Sequence, residues 1–229
     1  MKPTEYLKNI KIIFQENGNP EVAEGQMKYM RHKFEYYGLK APTWMGLLKT
    51  EFKEKGIYTG EELKEFVRLC MADEYREINY AGLQMLEKKM KKNPSAFIDF
   101  YEELILTKSW WDTVDWVRKF VGVHFQKYPE LILPTTQKWM ASDNIWLQRI
   151  CLIFQLTYKD KTDFKLMQKY ILELAHSDEF FIQKGAGWAL RQYSKFNAEG
   201  VIGFIGSHPE LKPLTKREGV KWLKNQGLI

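Results

Sequence analysis

The stretch Ser142-Asp143-Asn144-Ile145-Trp146-Leu147-Gln148-Arg149 recurs as Ser177-Asp178-Glu179-Phe180-Phe181-Ile182-Gln183-Lys184, an offset of 35 residues. Each copy sets Ser-Asp ahead of an apolar run with helical period. A short carboxylate there accepts from free backbone N–H groups and meets the positive end of the helix dipole, so Asp143 and Asp178 are expected as N-caps. Self-similarity at this spacing marks helix pairs that cannot bury their own apolar faces and must stack on their neighbours. Moving back by the same offset, Trp146 lands on Trp111, and two steps from Asp143 land on Asp73, at the start of another helical stretch. The period therefore reaches beyond the clear pair, with a looser register near residue 73.

Outward from this stretch, the chain reads as amphipathic helical segments separated by short polar joints such as Asn17-Gly18-Asn19-Pro20, Tyr58-Thr59-Gly60, Asn93-Pro94 and His208-Pro209. About a dozen helices fit between the joints, and no segment shows sustained strand alternation. The expected fold is all-α, an α-solenoid of stacked antiparallel helix pairs forming a single domain over residues 1–229, long enough for a sizeable core. With 15 Gly and 8 Pro in 229 residues, the punctuation that an all-β chain needs is lacking. A formal charge of +6 favours phosphate polyanions or anionic surfaces, and the excess sits in residues 1–50 (8 basic, 5 acidic) and 201–229 (5 basic, 2 acidic). Cys70 and Cys151 lie in apolar segments without metal spacing, so they read as buried thiols of a reducing compartment, and no metal site is expected. With neither an apolar leader nor a long apolar window, a cytoplasmic protein without membrane contact is expected.

Counted from Asp143 and Asp178 as position 1, positions 5, 8, 9 and 12 hold Leu147, Ile150, Cys151 and Phe154, then Ile182, Gly185, Ala186 and Ala189, the expected core between repeats. Positions 4, 7, 11 and 14 form the neighbouring stripe. It carries Trp146 and Arg149 in one repeat and Phe181, Lys184, Trp188 and Arg191 in the next. In the preceding repeat Trp111 takes position 4, and Asp115 takes position 8, where the next two repeats are small or apolar. Stacked repeats set equal positions side by side, so Trp111, Asp115, Arg149, Lys184, Trp188 and Arg191 are expected on one concave, basic surface suited to a nucleic acid backbone. A lone carboxylate beside phosphates weakens binding by like-charge repulsion. It makes sense where positive charge develops during a reaction.

At these residues the sequence resembles the DNA alkylation repair enzyme family, the AlkD-like DNA glycosylases built from HEAT-like repeats. The blocks that carry the likeness are Thr107 to Asp115, Ala141 to Arg149, Phe180 to Lys184 with Gly187-Trp188, and Leu214 to Glu218, with a weaker block from Lys28 through Gly38 to Pro42. The last departs from the family pattern at Lys40, where a neutral amide is expected. The resemblance implies a catalytic set of Trp111, Asp115, Trp188 and Arg149, the last as the family's groove arginine. It implies excision of cationic alkylated purines, chiefly N3-methyladenine and N7-methylguanine, from double-stranded DNA without a cofactor. Because the alkylated base leaves neutral, no general acid is required. Asp115 would oppose the oxocarbenium-like sugar and orient water, Trp111 and Trp188 would pack on sugar and backbone, and Arg149 would hold a flanking phosphate and support the Asp115 charge. The base would stay stacked or be only displaced, so neutral lesions such as uracil would be spared.

Further DNA contacts are expected at Lys184, Arg191, Lys216 and Arg217. Lys216 and Arg217 open the last helix, where the dipole disfavours cations. Tyr29 is divided between core and DNA surface. Trp110, Trp116, Trp139 and Trp146 read as packing residues, and Asp112 as a further cap. A monomer is expected. The rival reading is a non-catalytic α-solenoid binding nucleic acid or protein, in which Asp115 merely pairs with Arg149 or Lys184.

Overall fold

The structure is a computed structural model describing residues 1–229, and it is all-helical apart from one isolated bridge between Glu35 and Tyr75. The chain forms two compact units, Met1–Phe100 and Tyr101–Ile229. The first holds α1 (Pro3–Glu16), α2 (Pro20–Tyr29), α3 (Ala41–Lys55), α4 (Gly60–Ala72) and α5 (Arg76–Lys89). The division falls within α6 (Phe97–Leu106). The second unit continues with α7 (Trp111–Lys127), α8 (Ile132–Met140), α9 (Ile145–Ile153), α10 (Phe164–Glu173), α11 (Phe180–Tyr193), α12 (Ala198–Ser207) and α13 (Pro213–Asn225). No helix is long and apolar enough to cross a membrane.

In the first unit, α4 buries Leu63, Phe66, Val67, Cys70 and Met71, one face at helical spacing, and packs on α5 and α1. Each such side chain contributes about 1.5–3 kcal/mol on burial. The loop ahead of α3 is held from below by the buried Glu77 carboxylate, which accepts from the backbone N–H groups of Tyr37, Gly38 and Leu39 at 3.1, 2.9 and 3.0 Å.

In the second unit the helices α7, α9, α11 and α13 pack as a ladder, each on the next. The helices between them are joined by the short segments 141–144, 174–179 and 208–212, which make neighbours antiparallel. Bonds from one repeat to the next keep the period seen in the sequence. They fall at a separation of 34 for Asp115–Arg149, Thr136–Tyr170, Lys184–Glu218 and Asp178–Lys212, and of 36 for Glu102–Lys138 and Gly122–Tyr158. Every residue expected between the repeats is buried, from Leu147 and Ile150 to Ala186 and Ala189.

The recurring Ser and Gln frame the helix entries. Gln148 Nε2 donates to the Ser142 carbonyl at 2.7 Å, and Gln183 Nε2 to the Ser177 carbonyl at 3.1 Å. The caps differ from expectation. Asn144, not Asp143, caps α9, accepting from Trp146 and Leu147 N–H at 2.9 and 3.2 Å. Glu179 takes the N-cap position of α11 without a side-chain cap bond, and Asp178 instead receives Lys212 Nζ at 2.6 Å. Asp112 lies inside the first turn of α7, whose cap position is Trp110.

Candidate active site

Asp115 lies one turn beyond Trp111 on α7, and Arg118 follows three residues later, so the three occupy one stripe. Thr113, Val114 and Val117 bury the adjacent face, leaving the stripe at its half-buried margin. Arg149 reaches Asp115 from α9. Its Nε donates to Oδ1 and its Nη2 to Oδ2, both at 2.9 Å, a two-pronged pair. Its Nη1 donates to the Phe181 carbonyl at 2.6 Å. One guanidinium thus ties α7, α9 and α11 together. Room for it comes from Gly185, where a Cβ would stand 3.1 Å from Nη1.

The two partners are unequally covered: the Arg149 side chain is 6% exposed and that of Asp115 18%. The arginine is the interior partner and the carboxylate the accessible one. Three nitrogens of Arg149 are engaged on Asp115 and Phe181, so the expected contact with the Asp115 carboxylate is present. Phe181 is itself fixed by rings, 5.2 Å from Trp110 and 4.9 Å from Trp146, and those two indoles meet at 5.9 Å. Trp110, Trp146 and the fully buried Trp139 are packing residues, as expected. Trp188, on α11, comes to the α7 stripe through Arg118, whose guanidinium carbon stands 5.9 Å from the indole centroid.

Lys184 and Arg191 also converge, on a carboxylate. Glu218 of α13 accepts from Lys184 Nζ at 3.0 Å and from Arg191 Nη1 at 2.8 Å. Gly187 permits the approach of α13, since a Cβ there would lie 2.5 Å from Glu218 Cβ and 2.9 Å from the Thr215 carbonyl oxygen. Burial acts to raise the Glu218 pKa, but Lys184, Arg191 and Lys221 together outweigh it and hold the carboxyl below its ordinary 4.5. A depressed folded pKa means that the unfolded chain binds the proton first. The stabilisation is present above the ordinary value and is lost as pH falls through the folded one. The melting temperature is therefore expected to drop more steeply with acidification below about pH 4.5 in the native protein than in Glu218→Gln. Parallel thermal melts over that range would check it, and equal slopes would remove Glu218 from the account.

Lys216 donates to the Pro209 carbonyl at 3.0 Å, and Arg217 is exposed beside it as the next residue of α13. Tyr29 ends α2 in the first unit and is 72% exposed, which places it on the surface and not in the core. Lys40 is exposed at the N-cap position of α3. The Cys70 and Cys151 thiols are pushed up by burial and are not poised as nucleophiles. No three His, Cys, Asp or Glu side chains converge as metal ligands.

Residues 10–223 match the family described as DNA alkylation repair enzyme. The chain belongs to that family. No curated protein matches it. Among solved structures it is similar to a predicted DNA alkylation repair enzyme from Enterococcus faecalis, at 32% identity and a TM-score of 0.84 over 90% of this chain and 96% of that one. It is similar in fold to AlkD2 from Streptococcus mutans, at 17% identity and a TM-score of 0.58 over 77% and 87% of the two chains. The smu.31 protein of Streptococcus mutans UA159 gives 16% and 0.59 over 91% and 98%.

Two residues at the centre of this DNA alkylation repair family member escaped the sequence reading. Arg118 stands at position 11 of the stripe when the count that gives Trp111 position 4 is carried one turn further, the position that Trp188 holds in α11. Glu218 closes the Leu214 to Glu218 block, and its separation of 34 from Lys184 equals that of Asp115 from Arg149.

Proposed function

We propose that the chain is a monofunctional DNA glycosylase that hydrolyses the N-glycosidic bond of cationic alkylated purines, N3-methyladenine and N7-methylguanine, in duplex DNA. The observation that carries the reading is the Asp115 carboxylate, oriented by both prongs of Arg149 yet still accessible, with Trp111 one turn away on its own stripe. Such a carboxylate opposes positive charge on the deoxyribose without reorganising during the reaction, and a free lone pair can direct water at the anomeric carbon. The departing base carries its own charge away as a neutral purine, so no acid is needed to protonate it. Trp111 and Trp188 offer ring faces to the sugar and backbone, about 0.5–2 kcal/mol each toward a cationic centre.

Lys184, Arg191, Lys216 and Arg217 of the second unit would meet the DNA backbone, Tyr29 of the first unit would add a contact of its own, and the protein would act as a cytoplasmic monomer. Lys184 keeps two ammonium protons for a phosphate beyond the one engaged on Glu218. Selectivity then follows from the lability of the bond and not from an enclosing pocket. The test is to incubate the protein with methylated duplex DNA and with uracil-containing duplex, and to chromatograph the released bases. Release of methylated purines with uracil retained is the expected outcome; release of uracil overturns the selectivity, and release of no base overturns the activity. The Asp115–Arg149 pair is the observation that favours the rival, a non-catalytic scaffold, and absence of any release is the result that supports it.

A further inference from the structure

Among the cations around Asp115, Arg118 differs in what surrounds it. Arg149 has three nitrogens engaged, and Lys184 and Arg191 share Glu218. The Nε and Nη1 of Arg118 are both shielded within the protein and donate to no protein acceptor. Its guanidinium lies over the Trp188 ring, which fixes a plane but offers no acceptor. Buried donors left without a partner are costly, and where a native site keeps them, an absent ligand is a physical reason. Charge points the same way. Arg118 and Arg149 flank a single carboxylate, so the cluster carries one surplus positive charge. Burial acts to lower the Arg118 pKa; the Asp115 charge opposes that fall and the Arg149 charge adds to it. A surplus cation also works against a reaction in which the sugar becomes positive. An anion delivered with the substrate would remove the surplus, meeting the guanidinium at Nη2, the nitrogen that is not shielded.

We propose that Arg118 is the phosphate-receiving residue of the site, its planar fork taking the phosphodiester next to the damaged nucleotide while Trp188 holds the fork in place. The inference rests on the glycosylase reading for the identity of the anion. Docking of that phosphate brings the cluster to neutrality before the sugar charge develops, so that the field of Asp115 is no longer opposed by an unpaired cation.

The test is binding of the full chain to a duplex carrying a tetrahydrofuran abasic analogue, followed by fluorescence anisotropy between about 50 and about 200 mM NaCl. Replacing Arg118 by methionine is expected to weaken binding about tenfold at the low-salt end and to reduce the slope of log K against log salt by about one phosphate equivalent. Arg118→Lys keeps the charge and should retain the native slope. A duplex with a neutral methylphosphonate beside the abasic position should cost the native protein about as much as the methionine change costs it, and should cost the Met variant nothing further. Thermal melts complete the set, because removal of a buried unpartnered cation is expected to leave the melting temperature unchanged or raised, whereas a structural role would lower it. Equal salt slopes, or a methylphosphonate penalty undiminished in Arg118→Met, would overturn the proposal. Base release by the native protein tests the glycosylase reading separately, since a protein that binds the abasic duplex with an Arg118-dependent slope yet frees no base keeps the phosphate site and loses the activity.

Discussion

Asparagine at position 115 is expected to lower release of N7-methylguanine from duplex DNA by about a thousandfold while leaving affinity for an abasic-analogue duplex within about threefold of native. The substitution keeps the volume of the side chain and one acceptor for Arg149, so the geometry around the site is largely preserved. What disappears is the negative charge. Removal of one preorganised electrostatic group from an active site costs about a hundredfold to a thousandfold, and Asp115 is asked to do two things, oppose the sugar cation and direct water. The upper end of that range is therefore appropriate. Because the charge acts on a species that exists only near the transition state, the loss belongs in the rate constant and not in binding. Single-turnover release, quantified by chromatography, is the measurement. A loss below tenfold would show that Asp115 is a structural partner of Arg149 and nothing more.

The repeat was legible because stacking imposes a period on whatever residues touch between repeats. The pairs Asp115–Arg149, Thr136–Tyr170 and Lys184–Glu218, all 34 apart, are that period expressed in hydrogen bonds. Helix entry was legible to within a residue only. Asp and Asn are nearly equal as caps, and in Ser142-Asp143-Asn144 the chain offers both side by side, so composition alone does not choose Asn144. At the site, residue types foretold the chemistry but not the partners. Arg149 could be read as a cation near a carboxylate, yet one of its three hydrogen bonds goes to the Phe181 carbonyl. A backbone acceptor looks the same under every side chain and leaves no mark in the sequence. Gly185 read as a small core position and Gly187 only as part of a matching block, and only packing shows that one admits a guanidinium and the other a whole helix. Glu218 was hidden by its neighbours, an acid closing a basic block whose side chain turns inward to Lys184 and Arg191.

Arg149→Met is expected to be the most damaging single change to stability at the site, lowering the free energy of unfolding by about 3 kcal/mol. It removes the partner of a largely covered carboxylate, takes the donor from the Phe181 carbonyl, and unlinks α9 from α7 and α11 at the point where Gly185 had made room. Breaking one side of such a pair costs more than the pair is worth, because the remaining charge stays desolvated. The double variant Asp115→Asn with Arg149→Met therefore should recover part of the loss, with a coupling energy of about 1 kcal/mol or more. Urea unfolding of the four proteins, followed by far-UV circular dichroism, closes the cycle. Activity is expected to fall with either partner: the Met variant retains the carboxylate but should still lose base release, since Asp115 is then free to swing toward Arg118 one turn along α7. Additivity of the two changes within about 0.5 kcal/mol would mean that the charges do not feel each other, and the argument that Arg149 exists to aim Asp115 would fail with it.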